Sequence, residues 1–441
     1  MIRLSDRFNY KKLLRYTFPA IIMLVFMSVY GMVDGYFVSN FVGKTSFAAV
    51  NFVLPVMMTF GSVGFMFGTG GSALIAKIIG EGERVKANRL FSLLIYISIA
   101  ISIVIAVLAI IFMRDIASAL GAEGEMLEDS ITYGRLISLA VPAFILQTEF
   151  QILFATAERP KMGLYITIAA GITNILLDAL FIIVFSWGLV GAAMATVLSL
   201  CVGGIIPLIY FGRINSSLLR LTKTKYDGQA LLKTITNGSS EFVNHISMSI
   251  VGVLFNIQLL KYAGVDGVAA YGVIMYVNMI FISVYLGYAV GVAPIISYHF
   301  GAQNYNELKG LLKKSVVIMG VLSLIMVASA QLLSKPMSMA FVGYDQELME
   351  MTQRALFLFS FSFLFSGVGI FGSSFFTAMN DGLISALIAF MRTLIFQTGA
   401  VFLFPLLWGV DGIWLSVVLA EAMALLVTIL FFINKREKYH Y

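Results

Sequence analysis

The chain has 441 residues, of which 60% are hydrophobic and only 12% are charged. A soluble domain of this size needs a larger share of charged groups on its surface, so this composition excludes one. It predicts an all-α integral membrane protein. The net charge of +6 is a signal of membrane topology, and we expect no nucleic-acid partner.

Twelve apolar stretches are long enough to cross a bilayer, which takes about 20 residues of helix. Predicted helices 1 to 12 cover 15–39, 51–76, 91–113, 132–157, 161–185, 189–212, 234–260, 268–298, 312–334, 355–379, 383–407 and 411–433. The first stretch is too long for a signal-peptide core and lacks a small-residue cleavage site, so it should remain as helix 1. The single cysteine, Cys201, excludes a disulfide within the chain.

The distribution of basic residues predicts the orientation, because Lys and Arg are retained on the cytoplasmic side of a membrane. With the N-terminus inside, 22 of the 29 basic residues fall in the N-terminal segment, alternate loops and the tail. Six fall on the opposite side, and Arg392 lies inside predicted helix 11. Both termini are therefore predicted to be cytoplasmic.

The two halves of the chain repeat each other at a shift of roughly 220 residues, the mark of an internal duplication. The matched positions are Gly64 with Gly287, Gly68 with Gly291, Trp187 with Trp408, Gly188 with Gly409, and Gly191 with Gly412. Six helices per half is an even number, so the repeats are parallel and related by a pseudo-two-fold axis along the membrane normal. This predicts an N-lobe (1–212), a cytoplasmic linker (213–233) and a C-lobe (234–441).

Acidic residues inside apolar helices mark candidate sites, because a carboxylate in hydrocarbon is costly unless it faces a partner or a cavity. Asp34 and Asp178 lie at similar depth in predicted helices 1 and 5, and Asn174 is one turn from Asp178. Thr196 enters predicted helix 6 at a comparable level. These four residues can meet in the outer half of the N-lobe and bind Na⁺ or share a proton; the residues alone leave both ions open.

Four further polar residues are candidates for substrate binding or coupling. Glu241, with His245 and Gln258 on predicted helix 7, could bind a cationic substrate or a second ion. Glu149 lies in the inner half of predicted helix 4, where a role in the cytoplasm-facing state and a local hydrogen bond are both open.

Arg392 and Glu421 lie at comparable depth on predicted helices 11 and 12. An unpaired arginine would be expensive at that depth. We therefore expect a structural ion pair that holds the C-lobe together.

The chain resembles the multidrug and toxic compound extrusion (MATE) family over nearly its whole length. The residues that carry the resemblance are Pro19, Met32-Val33-Asp34, Val42-Gly43, Ala48-Ala49-Val50, Asn174 to Asp178, Trp187-Gly188, and Gly191-Ala192-Ala193 to Thr196. The resemblance implies a cation or proton site at Asp34, Asn174, Asp178 and Thr196, and matches Glu241 to an acidic residue early in helix 7. Predicted helix 10 has no acidic residue, unlike some branches of the family, which favours the N-lobe site.

The activity implied by the resemblance is export of cationic, lipophilic drugs in exchange for protons or sodium ions. No cofactor other than the coupling ion is implied. The expected partners are small cationic molecules and membrane lipid, and we expect a monomer in a bacterial inner membrane.

Two other functions are less consistent with the sequence. An enzyme is disfavoured because the chain has no HExxH, GxSxG or phosphate-loop motif and its three histidines are scattered. A lipid-linked oligosaccharide flippase would share the two-lobe plan, but such proteins often carry basic residues in the cavity. Here the buried charges are mainly acidic, which suits a cationic cargo better.

Overall fold

The computed structural model describes residues 2–441, apart from the side chain of Lys44, and all regular structure in that range is helical. The helices are α1 (Tyr10–Val42), α2 (Lys44–Gly80), α3 (Arg84–Ala119), α4 (Gly124–Ser138 and Val141–Thr156), α5 (Pro160–Val184), α6 (Gly188–Gly212), α7 (228–263), α8 (265–301), α9 (Tyr305–Val342), α10 (Gln346–Ser360 and Phe363–Ala378), α11 (382–408), α12 (410–434) and α13 (Arg436–Tyr439).

Three breaks within the helices decide the number of membrane crossings. The helical run Gly228–Gly301 is 74 residues long and is interrupted at Gly264, whose φ of 63° and ψ of −153° are not helical. Such a run exceeds a single crossing more than threefold, so α7 and α8 cross separately. The two parts of α4 bend by 57° and those of α10 by 48°, and each bent pair forms one crossing. The predicted fold of twelve helices in two lobes is confirmed.

Several boundaries and bends differ from the predictions. The helices extend beyond the apolar stretches, as in α3, which spans Arg84–Ala119 instead of 91–113, because helical hydrogen bonding continues into the polar ends. Pro405 lies in the last turn of the eleventh crossing, as predicted: Phe404 before it has helical dihedrals, and the break falls at Gly409, whose φ of 57° and ψ of −135° are not helical. The bend in α10 falls between Ser360 and Phe363, where no proline signals it.

Both chain termini pack at the same end of the bundle, called the termini end below. The N-terminal segment contacts both lobes there: the Leu4 N–H donates to Glu158 Oε1 in the α4–α5 loop at 2.6 Å, and the Phe8 N–H donates to Glu307 Oε1 in the first turn of α9 at 2.8 Å. At the C-terminus, the Tyr439 hydroxyl donates to the Asp381 carboxylate in the α10–α11 loop. An even number of crossings requires this arrangement.

The lobes contact each other from the termini end to about the middle of the bundle. The hydroxyl of Ser297 in α8 donates to the Ala73 carbonyl of α2 at 2.5 Å. Further into the bundle, the hydroxyls of Ser28 in α1 and Ser283 in α8 lie 2.7 Å apart. The structure is therefore closed between the lobes at the termini end.

Glycine permits the closest of these interlobe approaches. A Cβ added at Gly238 of α7 would collide with the carbonyl oxygen of Met66 in α2. We expect Gly238→Ala to weaken the closed state, whereas Gly252→Ala on the same helix, where a Cβ meets nothing within 4 Å, should leave it intact. Because both changes raise helix propensity equally, the comparison isolates the collision.

The measurement is oxidative cross-linking of Ser28→Cys and Ser283→Cys in a Cys201→Ser background. Gly238→Ala is expected to lower the cross-linked fraction severalfold relative to Gly252→Ala. Equal fractions in the two variants would show that this contact does not control closure.

Candidate functional site

A pair of carboxylates from two helices forms the centre of the N-lobe site. Asp34 of α1 has Asp178 and Asn174 of α5 as its immediate polar neighbours. Asp178 is fully buried and Asn174 nearly so. Each aspartate lies close to a wider π-helical turn, at Val38–Val42 in α1 and Ala179–Val184 in α5. Such turns occur frequently at functional sites. No pattern in the sequence predicts them.

The oxygens of this pair lack protein donors. Asp178 Oδ1 and Oδ2, Asp34 Oδ1 and Asn174 Oδ1 are buried and accept no hydrogen bond from the residues that the structure describes. Two adjacent carboxylates cannot hydrogen-bond to each other unless one of them carries a proton, and a buried uncompensated charge is costly. The arrangement can therefore hold a shared proton or a hard cation.

The other neighbours of the pair include two tyrosines that sequence reasoning missed. The phenol of Tyr133, in the first part of α4, lies beside Thr196 and close to both aspartates. The phenol of Tyr30 lies beside Gln147 and close to Asp34. The Thr196 hydroxyl donates to the Ala192 carbonyl at 3.1 Å, so its oxygen remains available as an acceptor. Among 19 tyrosines, no sequence signal singles out these two.

A small cavity between the lobes holds the second candidate site. It encloses about 30 Å³, enough for ordered water and too little for a drug-sized molecule. Glu241 of α7 faces Thr69 and Ser72 of α2 across it. The other lining residues are Ile152, Leu286, Ala289, Val290, Ala293, Ile370, Ser374 and Thr377.

The polar streak predicted on helix 7 does not form one site. The ring of His245 packs on Phe65 of α2, with centroids 4.9 Å apart. Gln258 follows Glu241 by 17 positions on the continuous helix α7, which places it about 26 Å further along the helix axis. The prediction that Gln258 joins Glu241 was therefore wrong, because the helical rise separates them by most of a membrane thickness.

Glu149 lies apart from both sites. It is fully buried in the second part of α4, and its polar neighbour is Ser98 of α3. Neither carboxylate oxygen meets a hydrogen-bond partner among the described residues, nor does the Ser98 hydroxyl.

Arg392 of α11 and Glu421 of α12 form a buried ion pair. Arg392 Nε donates to Glu421 Oε1 at 3.0 Å and to Oε2 at 2.9 Å, and Gln397 Nε2 lies 3.4 Å from Oε1.

Helix α10 begins at Gln346, earlier than the predicted 355, and therefore includes two acidic residues that the prediction left out. Glu347 and Glu350 are both exposed in its first turns.

Two six-helix lobes that meet around a cavity, with carboxylates buried in the crossings, are the architecture of a membrane transporter. The MatE family model matches residues 19–180 and again residues 242–401, once in each half of the chain. This chain belongs to the MatE family, which confirms the resemblance seen in the sequence and makes the protein a transporter instead of an enzyme.

Individual relatives match along nearly the whole chain. Multidrug export protein MepA of Staphylococcus aureus (strain MRSA252) is 25% identical over 431 residues, which cover 97% of this chain and 94% of the relative. MepA of Staphylococcus saprophyticus is 26% identical over 438 residues, with the same shares covered.

Solved structures share the fold. A crystal structure of MATE in complex with MaL6 has a TM-score of 0.93 at 23% identity and covers 98% of both chains. A MOP superfamily transporter from Pyrococcus furiosus, described as having a binding pocket of reverse polarity, has a TM-score of 0.92 at 23% identity and covers 99% of this chain and 98% of its own. Because one fold hosts pockets of different polarity, the cargo must be argued from the residues of the site.

Proposed function

We propose that the protein exports cationic, lipophilic drugs and toxic organic compounds in exchange for protons or sodium ions that move inward. The observation that carries the proposal is the Asp34–Asp178 pair, whose buried oxygens lack donors from the protein and so require a proton or a cation. The names of the MepA relatives as multidrug exporters support the choice of cargo.

The proposed mechanism is alternating access, in which the lobes 1–212 and 234–441 rock about their interface. The coupling ion drives the cycle only if it binds one conformation more tightly than the other. Ion binding at Asp34, Asn174, Asp178 and Thr196 is proposed to supply that difference. We place the transporter as a monomer in a bacterial inner membrane with both termini, and hence the closed end, in the cytoplasm.

Glu241 is proposed to recognise the positive charge of the substrate. It is the acidic residue that lines the interlobe cavity, and the ion pair in the same lobe uses Glu421 and Arg392 with each other. We expect Glu241→Gln to reduce efflux of monovalent cationic dyes about tenfold or more, since a carboxylate–cation contact in a partly desolvated site is worth more than one in water. Efflux of neutral lipophilic compounds should change much less.

The matched control is Glu347→Gln, which removes an exposed carboxylate at the start of α10. Transport assays with a cationic and a neutral compound on both variants give the comparison. Equal losses for the two compounds in Glu241→Gln would exclude a charge-recognising role.

The proposed function is tested by ethidium transport in vesicles that contain the purified protein, with a proton gradient and a sodium gradient imposed separately. Transport driven by one gradient and lost in Asp34→Asn would support the antiporter and identify its ion. Folded protein that moves no dye under either gradient would favour the alternative, a flippase of lipid-linked oligosaccharides.

A further inference from the structure

The N-lobe contains a second carboxyl group that the Asp34–Asp178 site does not use. Glu149 lies in the second part of α4 and Ser98 in α3, and both side chains are completely buried. They are neighbours, yet both carboxylate oxygens of Glu149 and the hydroxyl of Ser98 have no hydrogen-bond partner within the described residues. Two helices thus bring unsatisfied polar groups together in the lobe interior.

Apolar side chains flank this pair on both helices. Leu146, Phe150 and Leu153 flank Glu149 on α4, while Leu94 and Ile95 precede Ser98 on α3, and all five belong to one buried hydrophobic cluster. No salt bridge in the described part of the chain includes Glu149, and no charged side chain faces it from α2, α3, α5 or α6. An ionised carboxylate here would lack compensation, whereas a neutral carboxylic acid can donate to the Ser98 hydroxyl.

The position of Glu149 connects it to the interface that moves. Ile152, one turn further along α4, lines the interlobe cavity together with Thr69 and Ser72 of α2. A Cβ at Gly68 of α2 would lie 3.3 Å from the Glu149 Cα, so α2 packs directly on this part of α4. Since α2 also makes the closing contacts with α8, separation of the lobes at the termini end brings water towards Glu149.

We propose that Glu149 is a second proton-carrying residue of the N-lobe, distinct from the Asp34–Asp178 pair. Its carboxylic acid keeps its proton beside the Ser98 hydroxyl while the termini end is closed. When that end opens, the O–H bond of the acid breaks, the proton passes to an entering water molecule, and hydration stabilises the carboxylate left behind. The inference rests on the proposed antiporter function and deepens it by assigning a second site for the coupling proton.

Infrared spectroscopy tests the protonation state directly and without transport. Purified protein in liposomes, held closed by the Ser28→Cys/Ser283→Cys disulfide in the Cys201→Ser background, should show at neutral pH the carbonyl stretch of a buried carboxylic acid. In difference spectra against the reference protein, we expect Glu149→Gln to remove the band of Glu149 and leave any band of the Asp34–Asp178 pair. Ser98→Ala should shift the frequency of the Glu149 band through loss of the neighbouring hydroxyl, and Glu347→Gln should leave it unchanged. Reduction of the disulfide should lower the pH at which the band disappears.

Identical spectra for the reference protein and Glu149→Gln at neutral pH would overturn the proposal, because Glu149 would then be ionised in the closed state. A band that titrates at the same pH before and after reduction would also overturn it, because the proton would then be independent of opening. If Glu149→Gln fails to fold, the frequency shift in Ser98→Ala still assigns the band, and no shift counts against the proposal.

A flux measurement separates this proposal from the antiporter proposal. The number of protons moved per ethidium is expected to fall in Glu149→Gln and to stay unchanged in Glu347→Gln. If the reference protein moves ethidium without moving protons, proton coupling fails as a whole, while the infrared band still reports on Glu149. If the reference protein is proton-coupled and Glu149→Gln keeps the same ratio, only the role of Glu149 fails.

Discussion

Replacement of Asp178 by asparagine is expected to abolish ion-driven efflux, with a loss of at least about a hundredfold in the initial rate. The asparagine side chain keeps the size of the aspartate but cannot ionise, so the pair with Asp34 can no longer load and release an ion in the fully buried site. Without an ion that binds one conformation preferentially, a gradient cannot drive the cycle. Dye efflux from vesicles under the effective gradient measures this result.

The same substitution at another aspartate serves as the control for Asp178→Asn. Asp411→Asn removes a carboxylate whose partner, Arg354, is exposed at the end opposite the termini, and it should leave the driven rate within about twofold. A second readout is exchange without a gradient, in which dye equilibrates across the membrane. If Asp178→Asn, present in the same amount as the wild-type protein, shows undiminished gradient-driven efflux, the proposed ion site is wrong.

Replacement of Arg392 by leucine is expected to lower the free energy of unfolding by about 3–5 kcal/mol, because it leaves Glu421 buried without its partner. The pair is almost completely enclosed, with side-chain exposures of 11% for Arg392 and 3% for Glu421. Denaturation in detergent, followed by loss of helical signal, measures the change. The exposed pair of Arg354 and Asp411 is the control, and Arg354→Leu should change the free energy of unfolding much less than Arg392→Leu does.

A double variant separates the attraction within the pair from the penalty of a lone buried charge. Arg392→Leu combined with Glu421→Leu should recover most of the lost stability, since two apolar side chains of similar volume avoid the desolvation of both charges. A double variant as unstable as Arg392→Leu alone would mean that the arginine stabilises the C-lobe through contacts other than Glu421.

The sequence by itself determined the number of crossings, the duplication and most of the candidate residues. Lipid makes these features visible, because a crossing needs a long apolar stretch and a carboxylate within it stands out as costly. Asp34, Asn174, Asp178 and Thr196 could be grouped from their depth alone, since helical rise converts position in the chain into position across the bilayer. The ion pair of Arg392 and Glu421 follows from the same reasoning.

The tertiary structure decided which polar residues of different helices contact each other. Tyr133 lies in the first part of α4, before the 57° bend, and from there it comes close to both aspartates. The neighbours Glu149 and Ser98 come from different helices whose rotation about their own axes sets the contact. Depth can be read from one sequence, but rotation and bending result from packing between helices, so these features appear only in the folded chain.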